Sequence, residues 1–125
     1  TDKDLSDFYL DTIKGFKKEC YIYIPYNSEI EKSALEKGFK IMYEAFGDRA
    51  YNDNLSLVSR NMKGALINNP KLVIDQIASI IDSKKIKSIN DKYKSIKVDT
   101  ICIHSDTDNS IEILKEINKT FKNKK

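Results

Sequence analysis

The sequence of 125 residues predicts an α/β fold built of parallel βα units. Strand-like and helix-like runs alternate along the chain, the order from which parallel sheets are made. The stretch "FKIMYEAF", 39–46, is apolar on both of its faces, as in a strand covered by helices above and below. Only three main strands of this kind are present, whereas a closed β/α barrel needs about eight units and about 250 residues. Open strand edges are normally covered or closed. The chain is therefore expected to be part of a larger fold or to pair with a second copy.

The first element, "LSDFYLDTIKGF", places Leu5, Phe8, Tyr9, Thr12, Ile13 and Phe16 on one helical stripe. "CYIYIP" is a short strand stopped by Pro25. Ser28 and Glu31 form a capping-box pair at the start of "SEIEKSALEKG", a helix ending at Gly38. The strand 39–46 follows, and then a long loop, "GDRAYNDNLSLVSRNMKGAL". Asn69 and Pro70 mark the next helix as cap and first-turn residue. That helix carries Leu72, Val73, Ile74, Ile77, Ile80 and Ile81. "KIKSINDKYKSIKV" reads as a hairpin turning at "NDK". "DTICIH" is the last strand. "SDTDNSIEILKEINKTF" is the last helix, with Asp106 and Thr107 as capping candidates. No internal repeat or linker divides the chain, so a single domain over 1–125 is expected.

Composition narrows the classes of function. Apolar residues are 40% and charged residues 33%, and the net charge is +3. All but two of the 22 basic residues are lysine, spread over the whole chain. A nucleic-acid reader would gather Arg and Lys on one face, but only the tail "KTFKNKK" is concentrated, so no nucleic-acid partner is expected. No apolar run approaches the ~18 residues of a membrane span, and no signal peptide is visible. Cys20 and Cys102 lack metal or redox spacing and read as small buried hydrophobes in a reducing, cytoplasmic setting.

In parallel βα folds the working residues gather at the C-terminal strand ends. Two polar clusters fall there. Glu44, Asp48, Arg49 and Tyr51 lie at the end of strand 39–46, and His104, Ser105 and Asp106 lie at the end of "DTICIH". His104, the only histidine, alternates with Thr100 and Cys102, opposite Ile101 and Ile103. It reads as a general acid/base with Asp106 beside it, or as a satisfied structural imidazole. His-x-Asp supplies too few ligands for a metal site. Arg49 suits a bidentate carboxylate or an internal ion pair, and Arg60 does so more weakly. No phosphate loop is recognisable.

The stretches "YEAFGDRAYNDNLSLVSR", "KGALINNP" and "VDTICIHSDTDNSIEILKEI" together resemble the LamB/YcsF family of 5-oxoprolinase A subunits. Its patterns run close to E-x-F-A-D-R-x-Y, L-V-x-R, G-A-x-I and D-T-x-C-V-H-G-D-T. The resemblance reaches from about Leu5 to Phe121, the C-terminal half of the family. The upstream D-x-N-x-D-x-G-E, H-x-G-D and K-P-H-G-A-L-Y stretches are not in this sequence. Ser105 stands where the family has Gly, Gly47 where it has Ala, and Lys63 where Pro is common.

The resemblance implies the C-terminal half of a distorted β/α barrel of the glycoside hydrolase/deacetylase type. It implies ATP-dependent hydrolysis of 5-oxo-L-proline to L-glutamate with partner subunits B and C, and inactivity of this chain alone. Asp48 and His104 would be acid/base residues, with Asp106 orienting His104. Glu44, Arg49, Tyr51 and Arg60 would contact substrate, Arg49 on a carboxylate or phosphoryl oxygen. ATP is the co-substrate implied, and no metal is expected. The alternatives are a non-catalytic βα fragment serving as an oligomeric interaction module, or a metal-dependent carbohydrate deacetylase.

Overall fold

The computed structural model describes residues 2–124. Helix α1 (Asp2–Ile13) runs into a single 3₁₀ turn (Lys14–Phe16) and strand β1 (Tyr21–Ile24). Helix α2 (Glu29–Glu36), strand β2 (Lys40–Phe46) and helix α3 (Pro70–Ser83) follow. A hairpin of β3 (Lys85–Lys87) and β4 (Tyr93–Ser95), then β5 (Thr100–Cys102) and α4 (Ser110–Phe121), complete the order. The three-stranded sheet has the order β1-β2-β5. Strands β1 and β2 are parallel, with Ile22 beside Ile41 and Ile24 beside Tyr43. The α/β class with parallel strands is as the alternation of runs predicts.

The chain divides into two compact units, residues up to Ala45 with Lys97–Thr100, and Phe46–Ile96 with the chain from Ile101 onward. In the first, Leu10, Ala34 and Phe39 form a buried cluster packed by Ile13, Ile22, Ile30 and Ile41. Helix α2 begins as its sequence requires. The Ser28 hydroxyl accepts the Glu31 amide at 3.2 Å, and the Glu31 carboxylate reaches back to the Asn27 amide at 2.5 Å. Gly38 closes the helix at φ +75°, a left-handed position that favours glycine.

Two expectations fail in this unit. Helix α1 buries Ser6 and Leu10, while Leu5, Phe8, Tyr9 and Phe16 are exposed. Of the apolar stripe only Ile13 packs towards the core, and the fully buried residue is Leu10, which lies off it. Cys20 is exposed rather than buried, because it precedes β1 instead of opening it. On β1 the alternation puts Ile24 inside and leaves Tyr21 and Tyr23 exposed.

In the second unit Val73, Ile77 and Ile113 are buried together, packed by Ile67, Ile101, Ile103, Ile117 and Phe121. Asn69 caps α3 by accepting the Lys71 amide at 2.9 Å, with Pro70 in the first turn. The hairpin pairs Lys85 with Ser95 and Lys87 with Tyr93, and Asp91 in the expected turn takes φ +63°. Helix α4 begins later than its capping candidates predict. Its cap position is Asn109, in the left-handed region with no side-chain cap bond. Neither Asp106 nor Thr107 caps it.

The Tyr43 hydroxyl donates to Glu31 Oε1 at 2.7 Å. This bond to a carboxylate, with burial adding to it, pushes the phenol from 10.0 up to about 12. A raised folded value favours the protonated state, so its stabilisation is complete below pH 10.0 and is lost as pH rises towards about 12. In urea unfolding, the stability difference between wild type and Tyr43→Phe is therefore expected to shrink across that window. A difference independent of pH would show that the bond to Glu31 does not form.

Candidate active site

The β2 strand ends at Phe46, and the chain turns tightly through Gly47 and Asp48. Gly47 donates its amide to Cys102 O at 3.0 Å. A Cβ at Gly47 would lie 2.6 Å from Ile103 Cδ1 and 3.2 Å from Ile77 Cγ1 and Cδ1. The turn therefore lies flush against the β5 and α3 side chains. Gln76 of α3 holds it from the other side, its Nε2 donating to Phe46 O at 2.8 Å and Arg49 O at 3.0 Å.

This turn delivers the Asp48 carboxylate to the end of β5. Asp48 is fully buried and accepts from three groups. The His104 amide donates to Oδ2 at 2.7 Å, His104 Nδ1 lies 2.9 Å from Oδ1, and Thr107 Oγ1 donates to Oδ2 at 3.1 Å. With Asp48 accepting, Nδ1 carries the ring proton and Nε2 presents a lone pair. The ring is stacked on Phe46, centroids 5.2 Å apart and planes 23° apart. Its side chain is 25% exposed and lines a cavity of about 110 Å³ with Arg60, Leu66, Asn68, Asp106, Thr107 and Asp108.

The geometry redistributes the expected roles. Asp48 and His104 meet, as the strand-end rule predicts, but Asp48 holds the ring and does not itself line the cavity. The orienting part expected of Asp106 therefore belongs to Asp48, and Asp106 is an exposed cavity-lining carboxylate. Arg49 is buried with Nη2 donating to Val58 O at 2.9 Å, and it does not line the cavity. Tyr51 is also buried, and its hydroxyl accepts the Phe46 amide at 2.8 Å. Both side chains serve the 49–66 loop, where Ala50 donates to Ala65 O and Val58 to Ala50 O. Arg60 is exposed and lines the cavity. Glu44 is half-buried on β2, in the first unit, and does not line the cavity.

Sequence reasoning missed Gln76, Asn68, Asp108 and the site role of Thr107. Gln76 had a signal, a lone amide one position before Ile77 in an apolar helix. Thr107 stands at the end of the D-T-x-C-V-H-G-D-T stretch, whereas Asn68 and Asp108 had no signal, since loop residues carry no periodicity. Among the described residues, no group of three or more His, Cys, Asp and Glu side chains is placed to hold a metal ion. None of the described helices is long and apolar enough to cross a membrane.

Parallel βα units with polar side chains converging at their C-terminal strand ends define a chain of the β/α-barrel type. The chain belongs to the LamB/YcsF family, which matches residues 1–125. It is 34% identical over 120 residues to the A subunit of 5-oxoprolinase from Fusobacterium nucleatum, covering 96% of this chain and 47% of that protein. It is 35% identical over 121 residues to the protein of the same name from Campylobacter jejuni, covering 97% and 48%. The crystal structure of a lactam utilization protein from Thermus thermophilus superposes with a TM-score of 0.85 at 21% identity, over 97% of this chain and 48% of that one. That likeness is one of fold. The chain thus spans about half the length of the curated relatives it matches.

Removing the Asp48 carboxylate would leave the His104 amide, its ring N–H and the Thr107 hydroxyl without their acceptor. Unsatisfied buried groups cost about 1–3 kcal/mol each. Asp48→Ala is expected to lose roughly 2–4 kcal/mol in denaturant unfolding. A loss below about 0.5 kcal/mol, the scale of an ordinary surface change, would show that the three bonds do not form.

Proposed function

We propose that this chain supplies the acid/base half of an ATP-dependent 5-oxoprolinase, a cytoplasmic enzyme that opens 5-oxo-L-proline to L-glutamate with partner subunits B and C. One observation carries the reading. A fully buried aspartate fixes Nδ1 of a histidine whose ring lines a small cavity. That arrangement leaves Nε2 to take or give a proton at a ligand. The names of the relatives supply the substrate.

A cavity of about 110 Å³ with Arg60 on its wall, beside Asp106 and Asp108, supports a small ring such as the lactam as the ligand. ATP supplies the activation that a stable five-membered lactam requires. With the lactam oxygen phosphorylated by ATP, water attacks the ring carbon. His104 takes its proton at Nε2 and returns it to the ring nitrogen as the C–N bond breaks, and Asp48 stabilises the transient imidazolium through Nδ1. Hydrolysis of the acyl phosphate left behind releases phosphate and glutamate. Arg60 offers its guanidinium to the carboxylate of 5-oxoproline, the part that Arg49 is turned away from. Stacking on Phe46 keeps the imidazole plane fixed during the proton transfer.

The test compares this chain alone with a fusion to the half of the F. nucleatum relative that it does not match, with that organism's partner subunits added. Glutamate formation from 5-oxoproline and ATP is the readout. The chain alone is expected to be inactive and the fusion active. His104→Ala in the fusion is expected to lower kcat about 10²- to 10⁴-fold. Turnover by the isolated chain, or a fusion indifferent to His104→Ala, would overturn the reading. An inactive but folded fusion would favour a non-catalytic interaction module, to which the exposed Leu5, Phe8 and Tyr9 of α1 also point.

A further inference from the structure

The Thr107 hydroxyl has an unusual placement. It lies three residues after His104 and two before Asn109, the cap position of α4. Here α4 begins without a side-chain cap bond, and the hydroxyl turns inward to donate to Asp48 Oδ2 at 3.1 Å. The same oxygen already accepts the His104 amide at 2.7 Å. Two donors therefore converge on Oδ2, and the imidazole Nδ1 lies 2.9 Å from Oδ1 and 3.2 Å from Oδ2. Thr107 also lines the cavity, so one face of this residue meets the ligand space and its hydroxyl proton meets the buried carboxylate.

We propose that Thr107 is a positioning residue for the Asp48–His104 pair, locking the carboxylate in the orientation that selects the Nδ1–H tautomer of His104. The inference deepens the acid/base reading and rests on it for its catalytic meaning. A carboxylate held by one amide can still turn about its Cβ–Cγ bond. A second donor on the same oxygen removes that freedom, because turning would break two bonds instead of one. The lone pairs of Thr107 Oγ1 remain for a donor in the cavity, and the lactam N–H is a donor of that kind. A ligand bonded there would strengthen the hydroxyl as a donor to Asp48.

The tautomer can be read without any turnover. His104 is the only histidine, so the ring signals of the ¹⁵N-labelled chain need no assignment among several. Two-bond ¹H–¹⁵N correlation distinguishes Nδ1–H from Nε2–H directly. The wild type is expected in the Nδ1–H form. Thr107→Val should reduce the Nδ1–H to Nε2–H ratio roughly 2- to 10-fold, the equivalent of one net hydrogen bond, and Thr107→Ser should restore it. A folded Thr107→Val with the wild-type ratio would overturn the proposal, as would a Thr107→Ser ratio matching Thr107→Val. If Thr107→Val does not fold, the wild-type hydroxyl proton decides. Slow exchange and a cross-peak to the His104 amide support the lock, and exchange at the solvent rate overturns it. These outcomes are independent of glutamate formation, so failure of the proposed function and failure of the lock remain distinct.

Discussion

The Asp48 carboxylate is the constraint on which the second unit is organised. It is fully buried, and a buried charge persists only where donors replace its lost hydration. All three donors come from 104–107, the segment that follows β5. The bond network therefore ties that segment to the turn after β2, and α4 starts beyond it at Ser110. The turn that presents Asp48 is held in its own right by Gln76 and by the close approach of Gly47 to Ile103 and Ile77. A site made this way is positioned by backbone amides and packing, and less by the long side chains at its edge.

Much of the fold was legible in the sequence because its signals are local. The Ser28–Glu31 cap, the Asn69–Pro70 helix start and the hairpin turn each depend on neighbouring residues only. The strand-end rule also led to Asp48 and His104. Partners distant in the chain were not legible. A threonine near a helix start looks like a cap, and nothing nearby reveals a carboxylate 59 residues away. Arginine rarity drew attention to Arg49, but rarity does not tell a loop-holding guanidinium from a ligand-facing one. The carbonyl of Val58 makes Arg49 the former, whereas Arg60 faces the cavity.

Hydrophobic pattern identified faces without saying what each one meets. The α1 stripe and the tyrosine face of β1 are apolar, yet Phe8 is 72% exposed and Tyr21 and Tyr23 are each 59% exposed. The Ile22–Ile24 side of β1 faces inward instead. Burial on β1 is therefore one-sided, while β2 is partly buried along both of its faces.

The glycine in the turn after β2 has a packing consequence. The terminal methyl of Ile103 fills the space that an alanine methyl at position 47 would claim. An alanine at 47 would need a side chain one carbon shorter at 103, a volume-conserving exchange of the kind that packed interiors tolerate best. Neither substitution is neutral against the wrong partner, so the two positions form a linked pair. Either change made alone would leave a crowded or a hollow spot beside Asp48.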